Sequence, residues 1–123
     1  MNRNIKILVI ISVLMFASYF TAISCTVYAL ENIEGAYEVN PVMASRFASF
    51  SMFEAVYPCL IVLVVHCVLP VVGYVCVHWI AVRCNVSVLG KVAFCVAFGY
   101  LGFYLILFGV DAVNDVVFVC SNL

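Results

Sequence analysis

Three long stretches of this chain carry no charged side chain: Ile7 to Leu30, Ala55 to Val82 and Val92 to Val110. No other feature restricts the fold so strongly. A helix that crosses ~30 Å of hydrocarbon at 1.5 Å per residue needs ~20 predominantly apolar residues, and each stretch meets or approaches that length. The middle stretch is long, but two spans would require ~40 residues. It therefore reads as one long helix, tilted or bent. The expected fold is all-α: an integral membrane protein with three transmembrane helices at about 5–30, 51–82 and 88–118. Residues 1–123 form a single transmembrane helical domain. Composition agrees, since 68% of the 123 residues are hydrophobic and 9% are charged. Soluble domains are about a quarter charged, so lipid rather than water is the natural solvent for such a surface.

The five basic residues set the orientation. Arg3 and Lys6 precede the first span, and Arg83 and Lys91 bracket the turn between the second and third. Three spans place these four on one side. Arg46 and all six acids, Glu31, Glu34, Glu38, Glu54, Asp111 and Asp115, fall on the other. The positive-inside rule makes the four-base side cytoplasmic. The expected location is thus the cell membrane, multi-pass, with the N-terminus cytoplasmic and the C-terminus outside. Trp79 suits the inner interface, and Tyr28, Tyr37 and Tyr57 the outer one. A cleaved signal peptide would explain the basic start and the small residues Ala22, Ser24 and Cys25, but the first apolar run exceeds the usual ~7–15 residues. Asn85-Val86-Ser87 matches a glycosylation acceptor, but falls on the cytoplasmic side and reads as chance.

Residues 31–54 hold the local motifs. Asn40-Pro41 is a helix-start signal, with asparagine as cap and proline at the first helical position. Met43, Phe47 and Phe50 then recur at helical spacing among polar residues, which predicts a short amphipathic surface helix at about 41–50. Ser51-Met52-Phe53-Glu54 is a capping-box pattern and predicts the start of the second span. Near the centre of that span, Pro70 lacks an amide hydrogen and crowds the His66 carbonyl, so a kink is expected there.

Thr21 to Leu30, followed by Tyr37-Glu38-Val39-Asn40-Pro41-Val42-Met43-Ala44, resembles a small prokaryotic three-helix membrane family of unknown function with a Glu-x-Asn-Pro loop motif. The resemblance implies three spans and a threonine-bearing first helix. It also implies a tyrosine and a late asparagine on the last helix, places that Tyr104 and Asn114 would fill. Thr21 stands where the resemblance would put an aspartate. The resemblance implies no activity.

Candidate sites each have a structural alternative. His66 lies in mid-span, where ionisable groups are functional candidates, and is a cofactor-binding candidate. The bland reading is a neutral, hydrogen-bonded structural histidine. The other histidine, His78, lies one-dimensionally ~18 Å further along the same helix, so the two do not clamp one haem iron. Glu38, Asp111 and Asp115 are the metal candidates, since carboxylates suit a hard cation. A solvated outer rim explains the same residues. Ser18, Ala22 and Thr26 on span one, and Gly99 and Gly102 on span three, are candidate helix-packing positions, because small residues let helix backbones approach closely in lipid. The seven cysteines form no Cys-x-x-Cys pair and behave as small hydrophobes.

No nucleophile–base pair, Walker loop or dinucleotide fingerprint is present, and no basic run suits nucleic acid. The expectation is a non-catalytic small membrane subunit, without cofactor. It would pack against a larger membrane complex or self-associate within the lipid bilayer. The alternatives are a small ion- or proton-handling oligomer and a haem-bearing electron-transfer subunit.

Overall fold

A computed structural model of the chain describes residues 2–36 and 56–123. Within them lie three helices long and apolar enough to cross a membrane: α1 (Arg3–Asn32), α2 (Val56–Arg83) and α3 (Ser87–Ser121). The surface helix expected at 41–50, the capping box Ser51–Glu54 and the motif Glu38, Asn40 and Pro41 lie outside the described residues.

The helix ends follow from local chemistry. The Asn2 side chain accepts a hydrogen bond from the Asn4 amide at 2.9 Å and so caps the start of α1. α2 ends in a turn of three residues. Asn85 takes a left-handed backbone with φ 56°, a conformation asparagine tolerates better than most residues. Its amide donates to the Val82 carbonyl at 3.3 Å, and the Val86 amide reaches back to Ala81 at 2.9 Å. These two bonds satisfy carbonyls that the helix end leaves open, in the pattern of a Schellman cap. The tight turn makes α3 an antiparallel neighbour of α2. α3 continues three residues past the expected end near 118, and Asp111 and Asp115 do not interrupt it.

The order is up, down, up. Asn4, Ser12 and Thr26 of α1 meet Tyr74 and Cys67 of α2 and Asp115 of α3, respectively. α1 is therefore antiparallel to α2 and parallel to α3. The main core joins Leu8 and Met15 of α1, Cys67 and Tyr74 of α2, and Ala97 and Leu101 of α3. A second cluster joins Ile23 and Val27 to Cys59 nearer the other end. Three helices enclose little volume, so most of each helix stays on the outside. On α3, Gly90, Ala97, Leu101 and Ala112 face inward and are buried. Val92, Val96, Phe103, Ile106, Val110 and Val113 are exposed. That distribution suits a lipid-facing surface, where apolar exposure carries no hydrophobic penalty.

Candidate functional site

Pro70 shapes the centre of α2. A regular helix would use its amide to bond the His66 carbonyl, and proline has no such amide. The chain responds over Val62–Val68 by widening into a π-helical turn, in which the Leu69 amide donates to Val64, five residues back. This π turn, with one extra residue accommodated, lies directly before Pro70, where a kink was expected, within one continuous helix. Such turns are uncommon and often accompany functional positions.

His66 sits inside this turn and projects toward α3. Its Nδ1 lies 2.6 Å from the Tyr100 hydroxyl. The two rings are nearly parallel, with centroids 5.9 Å apart. Tyr104 packs on the histidine at 4.5 Å, and Phe108 approaches edge-on at 6.2 Å. The Tyr100 and Tyr104 rings also pack on each other, with centroids 4.8 Å apart. α1 closes the group through Tyr19, which meets Phe108 edge-to-face at 5.0 Å. The result is one imidazole and three phenols packed with Phe108, near the middle of three apolar helices. Among apolar side chains an unpaired polar group is costly, and the Tyr100 hydroxyl gives His66 a partner there.

The next residue, Cys67, exchanges hydrogen bonds with Ser12 across α1 and α2. The serine hydroxyl donates to the Cys67 carbonyl at 3.4 Å, and the cysteine thiol donates to the Ser12 carbonyl at 3.5 Å. Here a buried cysteine works as a packing and hydrogen-bonding residue. All seven cysteines are free thiols.

Toward the end where α1 finishes, Thr26 donates to a carboxylate oxygen of Asp115 at 3.1 Å. Two residues from separate groups, one a helix-packing position and the other a metal candidate, therefore meet. Asp111 is exposed. Among the described residues, no group of three or more histidine, cysteine, aspartate or glutamate side chains is arranged to hold a metal ion. Glu38 lies outside them.

The remaining packing positions divide. Ala22 is buried, and Ser18 and Thr26 are half-buried on α1. The Ser18 hydroxyl turns back to the Leu14 carbonyl at 2.9 Å. Gly99 and Gly102 have nothing within 4 Å of where a Cβ would stand, so neither is a point of close approach inside the chain. The close approach is at Gly90, where a Cβ would lie 3.4 Å from His78 Nδ1 and 3.7 Å from Ala81 Cβ.

The sequence reading found His66 and Pro70 but missed Tyr100, Ser12, Cys67 and Gly90. Tyr100 and Tyr104 did carry a signal: two phenols one turn apart, at the depth of a mid-span histidine on the neighbouring antiparallel helix.

Comparison with protein-family models, curated proteins and solved structures gave no match.

Proposed function

We propose that this chain is a small, non-catalytic membrane subunit. It spans the bilayer three times, with its N-terminus cytoplasmic and its C-terminus outside, and packs against copies of itself or a larger membrane complex. The observation that carries this reading is the bare outward face of α3. A Cβ at Gly99 or Gly102 would meet nothing within 4 Å there, amid exposed Cys95, Phe103 and Ile106. Small residues on one side of an apolar helix suit the close approach of a further helix. A mid-span histidine engaged by Tyr100 and surrounded by rings supports a structural role for that residue, and gives less support to ion or proton handling.

Native purification from mild detergent tests the proposal. A higher-mass species containing either several copies or a second membrane protein is expected. A stable lone monomer of 13.6 kDa with nothing co-purifying would overturn it. The orientation has its own test, since a reporter fused to the C-terminus should be active only outside the cytoplasm.

A further inference from the structure

The positive charge of the described residues gathers at one end of the bundle. α1 begins there with Arg3 and Lys6, α2 ends there at Arg83, and Lys91 lies in the first turns of α3. The acids among the described residues, Glu31, Glu34, Asp111 and Asp115, lie toward the opposite end. A cavity of about 380 Å³ indents the basic end, and all three helices line it. Its polar wall is Asn4, His78, Asn85, Ser87 and Lys91. The larger groove beside Pro70 is different: it is lined almost wholly by valine, leucine, alanine and glycine, with two tyrosines.

The polar wall is held in place. The Asn4 side-chain amide donates to the Tyr74 hydroxyl at 3.3 Å, and Tyr74 in turn stacks on His78 with centroids 5.6 Å apart. The cap of α2 fixes the left-handed Asn85. Gly90, also in the cavity wall, has no side chain to crowd the His78 ring nitrogen. Every polar side chain in this wall offers a hydrogen-bond donor, and Lys91 adds a full positive charge. The complementary ligand has several acceptor oxygens and a negative charge, which describes a phosphate.

Trp79 gives the depth. It is exposed, with the Arg83 guanidinium 4.5 Å above its ring. An exposed tryptophan at the end of an apolar helix marks the level of the lipid headgroups. His78, next to Trp79 in the sequence, and Val82, three residues beyond it, both line the cavity. Phosphate at that depth belongs to a lipid.

We infer that this cavity binds the phosphate headgroup of an anionic phospholipid, with Lys91 as its charge partner and Asn4, His78, Asn85 and Ser87 as hydrogen-bond donors. The inference rests on the three-span reading, and is independent of whether α3 has a partner helix.

The test uses the full chain purified in an uncharged detergent and native mass spectrometry with added phosphatidylglycerol, phosphatidylcholine or inorganic phosphate. Phosphatidylglycerol should be retained at least about fivefold over phosphatidylcholine, the scale of one basic residue near an anionic lipid. Lys91→Gln should lower that retention about fivefold. Asn85→Gly, which keeps the left-handed backbone, should lower it about threefold through one lost hydrogen bond. Arg83→Gln, outside the cavity wall, should change it less than twofold. Equal retention of the two lipids overturns the inference, as does retention unchanged by Lys91→Gln and Asn85→Gly. An equal loss in Arg83→Gln would show diffuse attraction instead of a site. Inorganic phosphate that displaces the lipid at equal concentration would assign the cavity to a free anion. Flotation of the chain with carbonate-washed liposomes reports membrane insertion separately, so failure of the three-span reading remains distinguishable.

Discussion

The Nδ1 atom of His66 and the hydroxyl of Tyr100 stand 2.6 Å apart, which ties the π-helical turn of α2 to the middle of α3. Tyr100→Phe keeps the stacked ring and deletes the hydroxyl. It leaves His66 short of a partner. The expected loss is about 1 kcal/mol, between the average interhelical hydrogen bond in a membrane and the cost of an unsatisfied buried group. His66→Leu combined with Tyr100→Phe removes both members. The double variant should be less destabilised than the sum of the single ones, by about 1 kcal/mol of coupling. Reversible unfolding in bicelles gives all three values, and strict additivity would show that the pair does not couple.

Two glycines of α3 should respond in opposite ways. Gly90 faces inward, with His78 Nδ1 3.4 Å from a would-be Cβ, whereas Gly99 has open space. Gly90→Leu overpacks the α2–α3 contact and should destabilise the chain by about 2 kcal/mol. Gly99→Leu should leave the monomer's stability within about 0.5 kcal/mol, as for a substitution away from any packed feature. If α3 packs on another helix, Gly99→Leu should still weaken association, measured by crosslinking in native membranes.

Much of this arrangement was legible in the sequence, for reasons that differ between residues. The three long apolar helices were legible from the charge-free stretches at their centres, although α1 runs past Lys6 and Glu31 and α3 past Lys91 and Asp111. His66 and Pro70 stood out because each is out of place in an apolar helix. Their partners did not. Whether Tyr100 meets His66 depends on the azimuth of two helices, and the π turn adds a residue that shifts one of them. Ser12 and Cys67 look like ordinary small residues until each side chain is seen to donate to the other's carbonyl. Spacing singled out Gly99 and Gly102, but rhythm along one helix says nothing about which side meets its own chain. Only the packing of α2 against α3 picks out Gly90.

Thr26 and Asp115 join the far ends of α1 and α3 at 3.1 Å. Thr26→Val preserves shape and removes the donor. It should cost about 1 kcal/mol, with a lower thermal midpoint in detergent. Thr26→Ser keeps a hydroxyl and should recover most of that stability. Equal loss in the serine and valine variants would assign the effect to the threonine methyl group and not to the bond.

The proposed orientation can be read from cysteines already in the chain. Cys84 lies in the α2–α3 turn, Cys120 lies near the end of α3, and both are exposed. With the N-terminus inside, Cys84 faces the cytoplasm and Cys120 the exterior. Reaction with a maleimide requires the thiolate, which forms in water and is suppressed in apolar surroundings. Exposed Cys76 and Cys95 lie within apolar helices and should react slowly, and buried Cys59 and Cys67 more slowly still. An impermeant maleimide added to intact cells should therefore label wild type at Cys120 and leave Cys84 unmodified until the membrane is opened. Cys120→Ser should abolish most labelling from outside, whereas Cys84→Ser should not change it. Labelling of Cys84 in intact cells would reverse the orientation. Protection of both until lysis would put the two thiols on the same side and remove the third crossing.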